Sequence, residues 1–180
     1  MEMQCIIAGF GGQGVLLMGQ LIAYAGMLDG REVSWMPAYG PEMRGGSANC
    51  SVVISNSPIG SPKVEDADVV IAMNRPSMEL FEKTIVPGGA MLYNSSLIDA
   101  PGARGDITYL PVACNDIADA LGNARVANMV MLGALIEQTN AFDTELLVEA
   151  LRHKLGASRE SLVALNREAI AAGMEAARGS

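Results

Sequence analysis

The sequence predicts an α/β fold in which about six mainly parallel strands form one sheet covered by helices. Three observations lead to this prediction. Strand and helix patterns alternate through the first two-thirds of the chain, a glycine-rich turn follows the first strand pattern, and the C-terminal third is helical. With 180 residues, the chain is expected to form a single domain over residues 1–180.

Short apolar runs rich in β-branched residues mark the strands. They lie at residues 4–8, 32–36, 48–54, 69–72, 90–93 and 107–110. We expect Pro37 to end the second strand, because proline has no backbone N–H for the ladder. In the third strand Cys50, Val52 and Ile54 alternate with other residues, a pattern that also suits a strand antiparallel to its neighbours.

Apolar residues at helical spacing mark the helices. They lie at residues 15–28, 76–84, 115–121, 124–138, 144–155 and 158–178. Side chains that can cap a helix N-terminus precede three of them: Asn115 or Asp116, Asp143, and Ser158. The last helix has one apolar side, so we expect it to lie on the sheet or to contact a partner.

Composition excludes several classes of function. The net charge is -8, so no basic stripe can neutralise the phosphates of nucleic acid or of an anionic membrane. No secretory leader or membrane-spanning apolar stretch is evident, which predicts a cytoplasmic protein. The three cysteines lie in apolar runs without a C-x-x-C motif, which indicates buried thiols rather than disulfides, zinc ligands or iron–sulfur ligands. The single histidine, His153, is expected at the surface.

The first glycine-rich stretch is Gly9-Phe10-Gly11-Gly12-Gln13-Gly14, between the first strand and the first helix. A turn of this kind presents backbone N–H groups and a helix N-terminus to a phosphate. Its G-x-G-x-x-G pattern also fits a Rossmann dinucleotide site, but the second strand ends in Ser34-Trp35-Met36-Pro37, without the acidic residue that holds the ribose. No P-loop lysine follows Gly14. A dinucleotide-binding oxidoreductase is therefore the weaker alternative. A turn that served only strand–helix packing would not require four glycines with Gln13 among them. The Gln13 side-chain amide can hydrogen-bond to a ligand or to the second loop.

The second glycine-rich stretch is Tyr39-Gly40-Pro41-Glu42-Met43-Arg44-Gly45-Gly46, directly before the third strand. The guanidinium of Arg44 suits a phosphate or a carboxylate. Arg44 and Glu42 can alternatively form a local ion pair that only stabilises the loop. The two glycines behind Arg44 favour a binding role. No G-x-S-x-G elbow and no histidine-based acid–base pair is present, so the hard chemistry is expected on another chain.

These two stretches, with Ala72-Met73-Asn74-Arg75-Pro76-Ser77 and residues 125–134, resemble the gamma subunit of 2-oxoacid:ferredoxin (acceptor) oxidoreductases from about residue 4 to residue 175. The resemblance implies an assembly that oxidatively decarboxylates a 2-oxoacid, joins the acyl group to coenzyme A and reduces ferredoxin. It places thiamine diphosphate, Mg and iron–sulfur clusters on partner alpha, beta and, where present, delta subunits. The stand-alone length favours 2-oxoglutarate or a branched-chain 2-oxoacid over pyruvate.

The resemblance also implies a coenzyme A site near the glycine loops of this chain. The residues expected to bind coenzyme A are Gly9, Gly11, Gly12, Gln13, Gly14, Tyr39, Gly40, Glu42, Arg44, Gly45, Gly46 and Asn74. The Met-rich segment 126–136 and the terminal helix are expected to offer apolar surface, through which the isolated chain forms a two-fold homodimer.

Overall fold

A mostly parallel six-stranded sheet carries the fold in the computed structural model, which describes residues 2–39 and 46–179. The strands are β1 (Glu2–Phe10), β2 (Glu32–Tyr39), β3 (Ser47–Ser55), β4 (Ala67–Ala72), β5 (Ile85–Asn94) and β6 (Thr108–Val112). Their order across the sheet is β2-β3-β1-β4-β5-β6. Strands β1, β4, β5 and β6 pair in parallel, whereas β3 is antiparallel to both of its neighbours. The predicted α/β sheet and the antiparallel third strand are confirmed.

Helices cover the two faces of the sheet unequally. They are α1 (Val15–Leu28), α2 (Arg75–Phe81), α3 (Cys114–Ala120), α4 (Ala127–Thr139), α5 (Thr144–Leu155) and α6 (Glu160–Arg178), with single 3-10 turns at Glu82–Thr84, Ala124–Val126 and Ala157–Arg159. The larger core lies on the face covered by α1 and α3 to α6. The smaller core lies on the opposite face, under α2. None of the helices in the described ranges is long and apolar enough to cross a membrane.

Strands β1 to β5 are longer than the sequence predicts, and two of them continue through proline-containing segments. β2 continues through Pro37 to Tyr39, because β2 is an edge strand and pairs only with β3. A proline is tolerated at a sheet edge, where its missing N–H breaks no ladder. β5 begins at Ile85 rather than at residue 90, and its pairing with β4 shifts register between Ala67 and Val69. That irregularity accommodates Pro87-Gly88-Gly89, a combination of residues that is typical of turns.

The helix caps are predicted with mixed success. Asp143 caps α5, and its carboxylate accepts a hydrogen bond from the Glu145 N–H at 2.8 Å. The other two caps are wrong. α3 begins at Cys114 without a side-chain cap, and the Asn115 side chain instead accepts a hydrogen bond from Asn94 Nδ2 at 2.8 Å. Ser158 lies within a 3-10 turn, and α6 also begins without a side-chain cap.

Helix α4 lies in the core along most of its length. Every residue from Ala127 to Ile136 is buried, and α6 packs across it. The expectation that the Met-rich segment offers apolar surface is therefore wrong, because α6 already covers it. The cysteines are buried, as predicted. His153 is exposed, as predicted, and its ring stacks on Tyr24 of α1 with the ring centres 4.8 Å apart.

Candidate functional site

The candidate site lies at the carboxyl ends of β1 and β4, which are neighbours in the sheet. After β1 the chain enters α1, which packs on the larger core, and after β4 it enters α2, which packs on the smaller core on the other face. The two connections therefore diverge to opposite faces and leave a crevice between them. Crevices at such a point are the usual ligand sites of open α/β sheets.

The first glycine loop requires glycine at two positions with left-handed backbone geometry. Gly12 has a φ of 95° and Gly14 has a φ of 74°. At Gly14 a Cβ would also overlap the Nδ2 atom of Asn128, a residue in the first turn of α4. The loop thus packs directly against the start of α4, and a side chain at position 14 would separate them.

The side chain of Gln13 fastens the end of β1 to the end of β4. Its Oε1 accepts hydrogen bonds from the Phe10 N–H at 2.6 Å and from Asn74 Nδ2 at 3.2 Å, and its Nε2 donates to the Met73 carbonyl at 3.0 Å. Asn74 is buried and caps α2 by accepting from the Ser77 N–H at 2.9 Å. The Gln13 amide is therefore engaged in positioning the loop, and a contact with ligand stays a prediction.

The end of the second glycine stretch lies beside the first. The Gly11 N–H donates to the Gly46 carbonyl at 2.9 Å. Tyr39 ends β2, where its backbone pairs with Ala48. The other predicted members of this stretch lie outside the described residues: Gly40, Glu42, Arg44 and Gly45. Gly9, Gly11, Gly12, Gln13, Gly14, Gly46 and Asn74 are the predicted site residues that the structure brings together at one end of the sheet.

A cavity of about 400 Å³ opens between the first glycine loop and the segment that leads into α4. Its polar wall is formed by Gly12, Gln13, Gly14, Asn115, Arg125 and Asn128. The sequence-based site included the first three and missed the others. Arg125 and Asn128 lie within residues 125–134, which carry part of the family resemblance. That resemblance was the signal by which the predicted site could have included them.

The cavity is electrostatically suited to an anion. The N-termini of α1 and α4 both adjoin it, through Gly14 and Asn128, and neither helix has an acidic residue in its first turn. α1 has no side-chain cap, whereas α4 continues the 3-10 turn at Ala124–Val126, which the Asn123 side chain caps by accepting from the Arg125 N–H. Uncapped N–H groups and the helix dipole favour negative charge at such positions. Among the residues that the structure describes, none that lines the cavity is acidic, although the chain carries 20 acidic residues and a net charge of -8.

Beneath the loop lies a thiol that is not activated. Cys50 is buried, and its S–H donates to the Val15 carbonyl at 3.6 Å. Burial raises the pKa of Cys50 to about 11, because the thiolate would lose its hydration. The thiol is therefore protonated at neutral pH, and only the thiolate is an effective nucleophile. The described part of the site offers binding groups rather than a nucleophile.

The sequence model of the pyruvate ferredoxin/flavodoxin oxidoreductase family matches residues 4–176 of this chain. The chain belongs to this family. One relative is the ketoisovalerate oxidoreductase subunit VorA of Methanothermobacter thermautotrophicus, which is 42% identical over 178 residues, or 98% of this chain. This chain spans only 37% of the length of that relative.

Two solved structures of family relatives have the same fold. The gamma subunit of a keto/oxoacid ferredoxin oxidoreductase from Geobacter sulfurreducens PCA superposes with a TM-score of 0.83 at 28% identity, and the match covers 99% of both chains. A 2-oxoglutarate:ferredoxin oxidoreductase from Magnetococcus marinus, with 2-oxoglutarate, coenzyme A and succinyl-CoA bound, superposes with a TM-score of 0.90 at 29% identity. That match covers 99% of this chain and 31% of the other.

Proposed function

We propose that this chain is the gamma-type subunit of a thiamine-diphosphate-dependent 2-oxoacid:ferredoxin oxidoreductase. The reaction consumes a 2-oxoacid, coenzyme A and two oxidised ferredoxins, and it yields the acyl thioester, carbon dioxide, a proton and two reduced ferredoxins. The observation that carries the proposal is the family match over residues 4–176, together with superposition on a gamma subunit over nearly its whole length.

Within that assembly, this chain contributes binding and positioning. Its candidate site combines helix N-termini, glycine N–H groups and the Arg125 guanidinium, and these groups suit the phosphates of coenzyme A. Thiamine diphosphate with Mg on the alpha and beta chains would supply the carbanion chemistry, and iron–sulfur clusters on partner chains would carry the electrons to ferredoxin. The coenzyme A tail would lie along the glycine loops, with its thiol directed towards the partner that holds the acyl group.

For the 2-oxoacid, we propose a branched-chain acid or 2-oxoglutarate in preference to pyruvate. The 42%-identical relative carries the name of a ketoisovalerate enzyme, and the superposed Magnetococcus marinus enzyme holds 2-oxoglutarate. The side chains that distinguish the acids are expected on the partner chains. Initial rates with 2-oxoisovalerate, 2-oxoglutarate and pyruvate at equal concentrations rank the three acids, and a clear preference for pyruvate contradicts this part of the proposal.

The experiment that tests the subunit assignment is reconstitution. The chain purified alone should not reduce a viologen dye in the presence of a 2-oxoacid and coenzyme A, whereas its mixture with the alpha and beta chains should. Turnover by the isolated chain at the rate of the complex contradicts the assignment. Micromolar binding of NADH to the isolated chain, measured by NADH fluorescence, would favour a free-standing dinucleotide-binding oxidoreductase instead.

We also propose that the protein is cytoplasmic. The chain purified alone is proposed to form a two-fold dimer, although its Met-rich helix is not the contact surface. Sedimentation equilibrium at tens of micromolar, roughly the range in which standard-size interfaces persist, tests this. A dimer that dissociates when the partner chains are added supports a shared surface, and a monomer at every concentration contradicts the dimer.

A further inference from the structure

We propose that a groove between α1, α5 and β2 binds an aromatic monocarboxylate, as a second ligand site separate from the candidate site. The groove has a volume of about 350 Å³. Its lining shares no residue with the lining of the cavity beside the first glycine loop. The inference does not depend on the proposed function, because it uses only the chemical groups that line this groove.

Aromatic rings are concentrated at this groove. The chain contains one tryptophan, four tyrosines, three phenylalanines and one histidine. The tryptophan, Trp35, and the histidine, His153, both line the groove, together with Tyr24. The rings of Tyr24 and His153 stack with their centres 4.8 Å apart and their planes 24° apart. Aromatic side chains are typical anchors of apolar ligands, because they bury a large area and lose little conformational freedom. This wall therefore suits a flat apolar ring.

The position of Trp35 depends on a glycine in the middle of α1. A Cβ at Gly19 would lie 2.7 Å from Trp35 Nε1 and 2.9 Å from Trp35 Cδ1, closer than real Cβ atoms approach. Glycine in the interior of a helix is less favourable than alanine. The edge of the indole reaches α1 because position 19 has no side chain, and the same ring lines the groove.

Lys154 gives the groove a positive charge. Its Nζ donates to Gln20 Oε1 at 2.9 Å, and it makes no ion pair with an acidic residue among residues 2–39 and 46–179. The neighbouring Arg152 is, by contrast, paired with Glu149 and Glu160. Within the described part of the chain, no acidic residue lines the groove. An ammonium group has three donors, so two of those on Lys154 are available to a carboxylate.

The size of the groove limits the ligand. Because a water molecule takes up roughly 30 Å³, the groove can hold a ligand of about ten to twelve non-hydrogen atoms. One ring with a short carboxylate arm has this size. Met27, which lines the groove and is 57% exposed, offers a thioether that packs favourably on the edge of an aromatic ring. An aromatic monocarboxylate therefore matches the rings, the thioether and the ammonium group together.

Phenylacetate, with about ten non-hydrogen atoms, is the probe, and phenylacetamide is its uncharged analogue. Because Trp35 is the chain's only tryptophan, its fluorescence in the purified full-length chain reports on the groove. Phenylacetate should change this fluorescence with a Kd of about 0.1–1 mM and should raise the melting temperature. Phenylacetamide should bind about 3- to 10-fold more weakly, because it lacks the charge. No change in fluorescence or melting temperature up to about 10 mM phenylacetate overturns the site.

Two substitutions at exposed positions test the groups individually. Lys154→Met removes the charge and keeps an apolar stem, so it should weaken phenylacetate by about 3- to 10-fold and leave phenylacetamide unchanged. Met27→Glu adds a carboxylate to the groove and should weaken phenylacetate more than phenylacetamide. The matched controls are Lys83→Met and Leu80→Glu, at exposed residues on the opposite side of the sheet, and both should leave binding unchanged. Phenylacetate binding in Lys154→Met that equals binding in Lys83→Met overturns the proposal.

Two further measurements show whether the groove is a ligand site or a contact between chains. Calorimetric titration of phenylacetate into the assembled complex should give binding with the same dependence on Lys154. Binding by the chain alone that disappears in the complex overturns the proposal, because a partner chain then covers the groove. Dissociation of a dimer of the chain by Met27→Glu, seen in sedimentation, also overturns it. The titrations of the chain alone do not involve turnover, so their outcome is independent of the proposed function.

Discussion

Alanine at Gly133 tests the packing of the two helices that stand behind the candidate site. The Cβ of an alanine at this position would overlap the backbone carbonyl oxygen of Ile170 on α6, and a Cβ at Gly173 would overlap the carbonyl oxygen of Val130 on α4. Both contacts lie well inside 3.0 Å, the closest approach that real Cβ atoms show. The helices therefore cross with their backbones in direct contact.

The free-energy cost of Gly133→Ala depends on which atoms can move to relieve the overlap. The atom in the way belongs to a backbone carbonyl rather than to a flexible side chain, so α6 must shift by roughly 1 Å and lose packing along the crossing. Overpacking of this kind costs about 1–3 kcal/mol and occasionally more, and the better helix propensity of alanine returns about 1 kcal/mol. Because the overlap is with a backbone carbonyl, we take about 3 kcal/mol for the overpacking. The net loss for Gly133→Ala is then about 2 kcal/mol, which corresponds to roughly 4–8 °C in melting temperature for a chain of this size.

Urea unfolding followed by far-UV circular dichroism measures this loss. Gly60→Ala is the control, because no atom lies within 4 Å of its Cβ position and Gly60 has no positive φ. That substitution should be neutral or stabilising by less than about 1 kcal/mol. The double variant Gly133→Ala/Gly173→Ala should cost less than the sum of the two single changes, because one separation relieves both overlaps. Gly133→Ala at or above wild-type stability would refute the close crossing.

Three further predictions concern the loop, the surface and the core. Gln13→Glu should cost about 1–3 kcal/mol in the same urea assay, because a carboxylate cannot donate to the Met73 carbonyl 3.0 Å away; full stability would mean that the Gln13 network contributes nothing. A hydrogen bond from Arg167 lowers the pKa of Glu145, so its stabilising effect is present above the usual glutamate pKa and is lost as pH falls through the lowered value. Glu145→Gln should therefore melt below wild type at about pH 7 and together with it at about pH 3, and an equal deficit at both pH values would contradict the ion pair. The three cysteines are buried, and burial raises the pKa of each, so a disulfide reagent at about pH 8 should modify none until the chain unfolds, whereas rapid native modification would contradict their burial.

The first glycine turn was predictable from sequence because its geometry is local. The motif after a strand and before a helix predicts the turn, and Gly12 and Gly14 have the positive φ values that such a turn needs. The extent of β2 was not predictable in the same way. Whether Pro37 ends a strand depends on whether that strand lies at the edge of the sheet, which only the completed topology decides.

The side of the cavity opposite the first glycine loop depends on a contact between residues far apart in sequence. Gly14 and Asn128 meet because α4 returns to the carboxyl end of β1, and no local pattern near either residue predicts that meeting. The same reason explains the Met-rich segment. A methionine-rich segment is consistent with an exposed apolar surface, but α6 covers this one. The close approach of the two helices is possible because Gly133 and Gly173 lie at their crossing.

The structure of the assembled complex with coenzyme A, at a resolution that shows phosphates, tests the central claim most directly. The account predicts that a phosphate of coenzyme A lies in the cavity beside the first glycine loop, within hydrogen-bond distance, about 3 Å, of a backbone N–H of residues 12–14. Coenzyme A held entirely by the partner chains, with this cavity filled by a partner side chain, would contradict it. The cavity would then be a subunit contact and not a coenzyme A site.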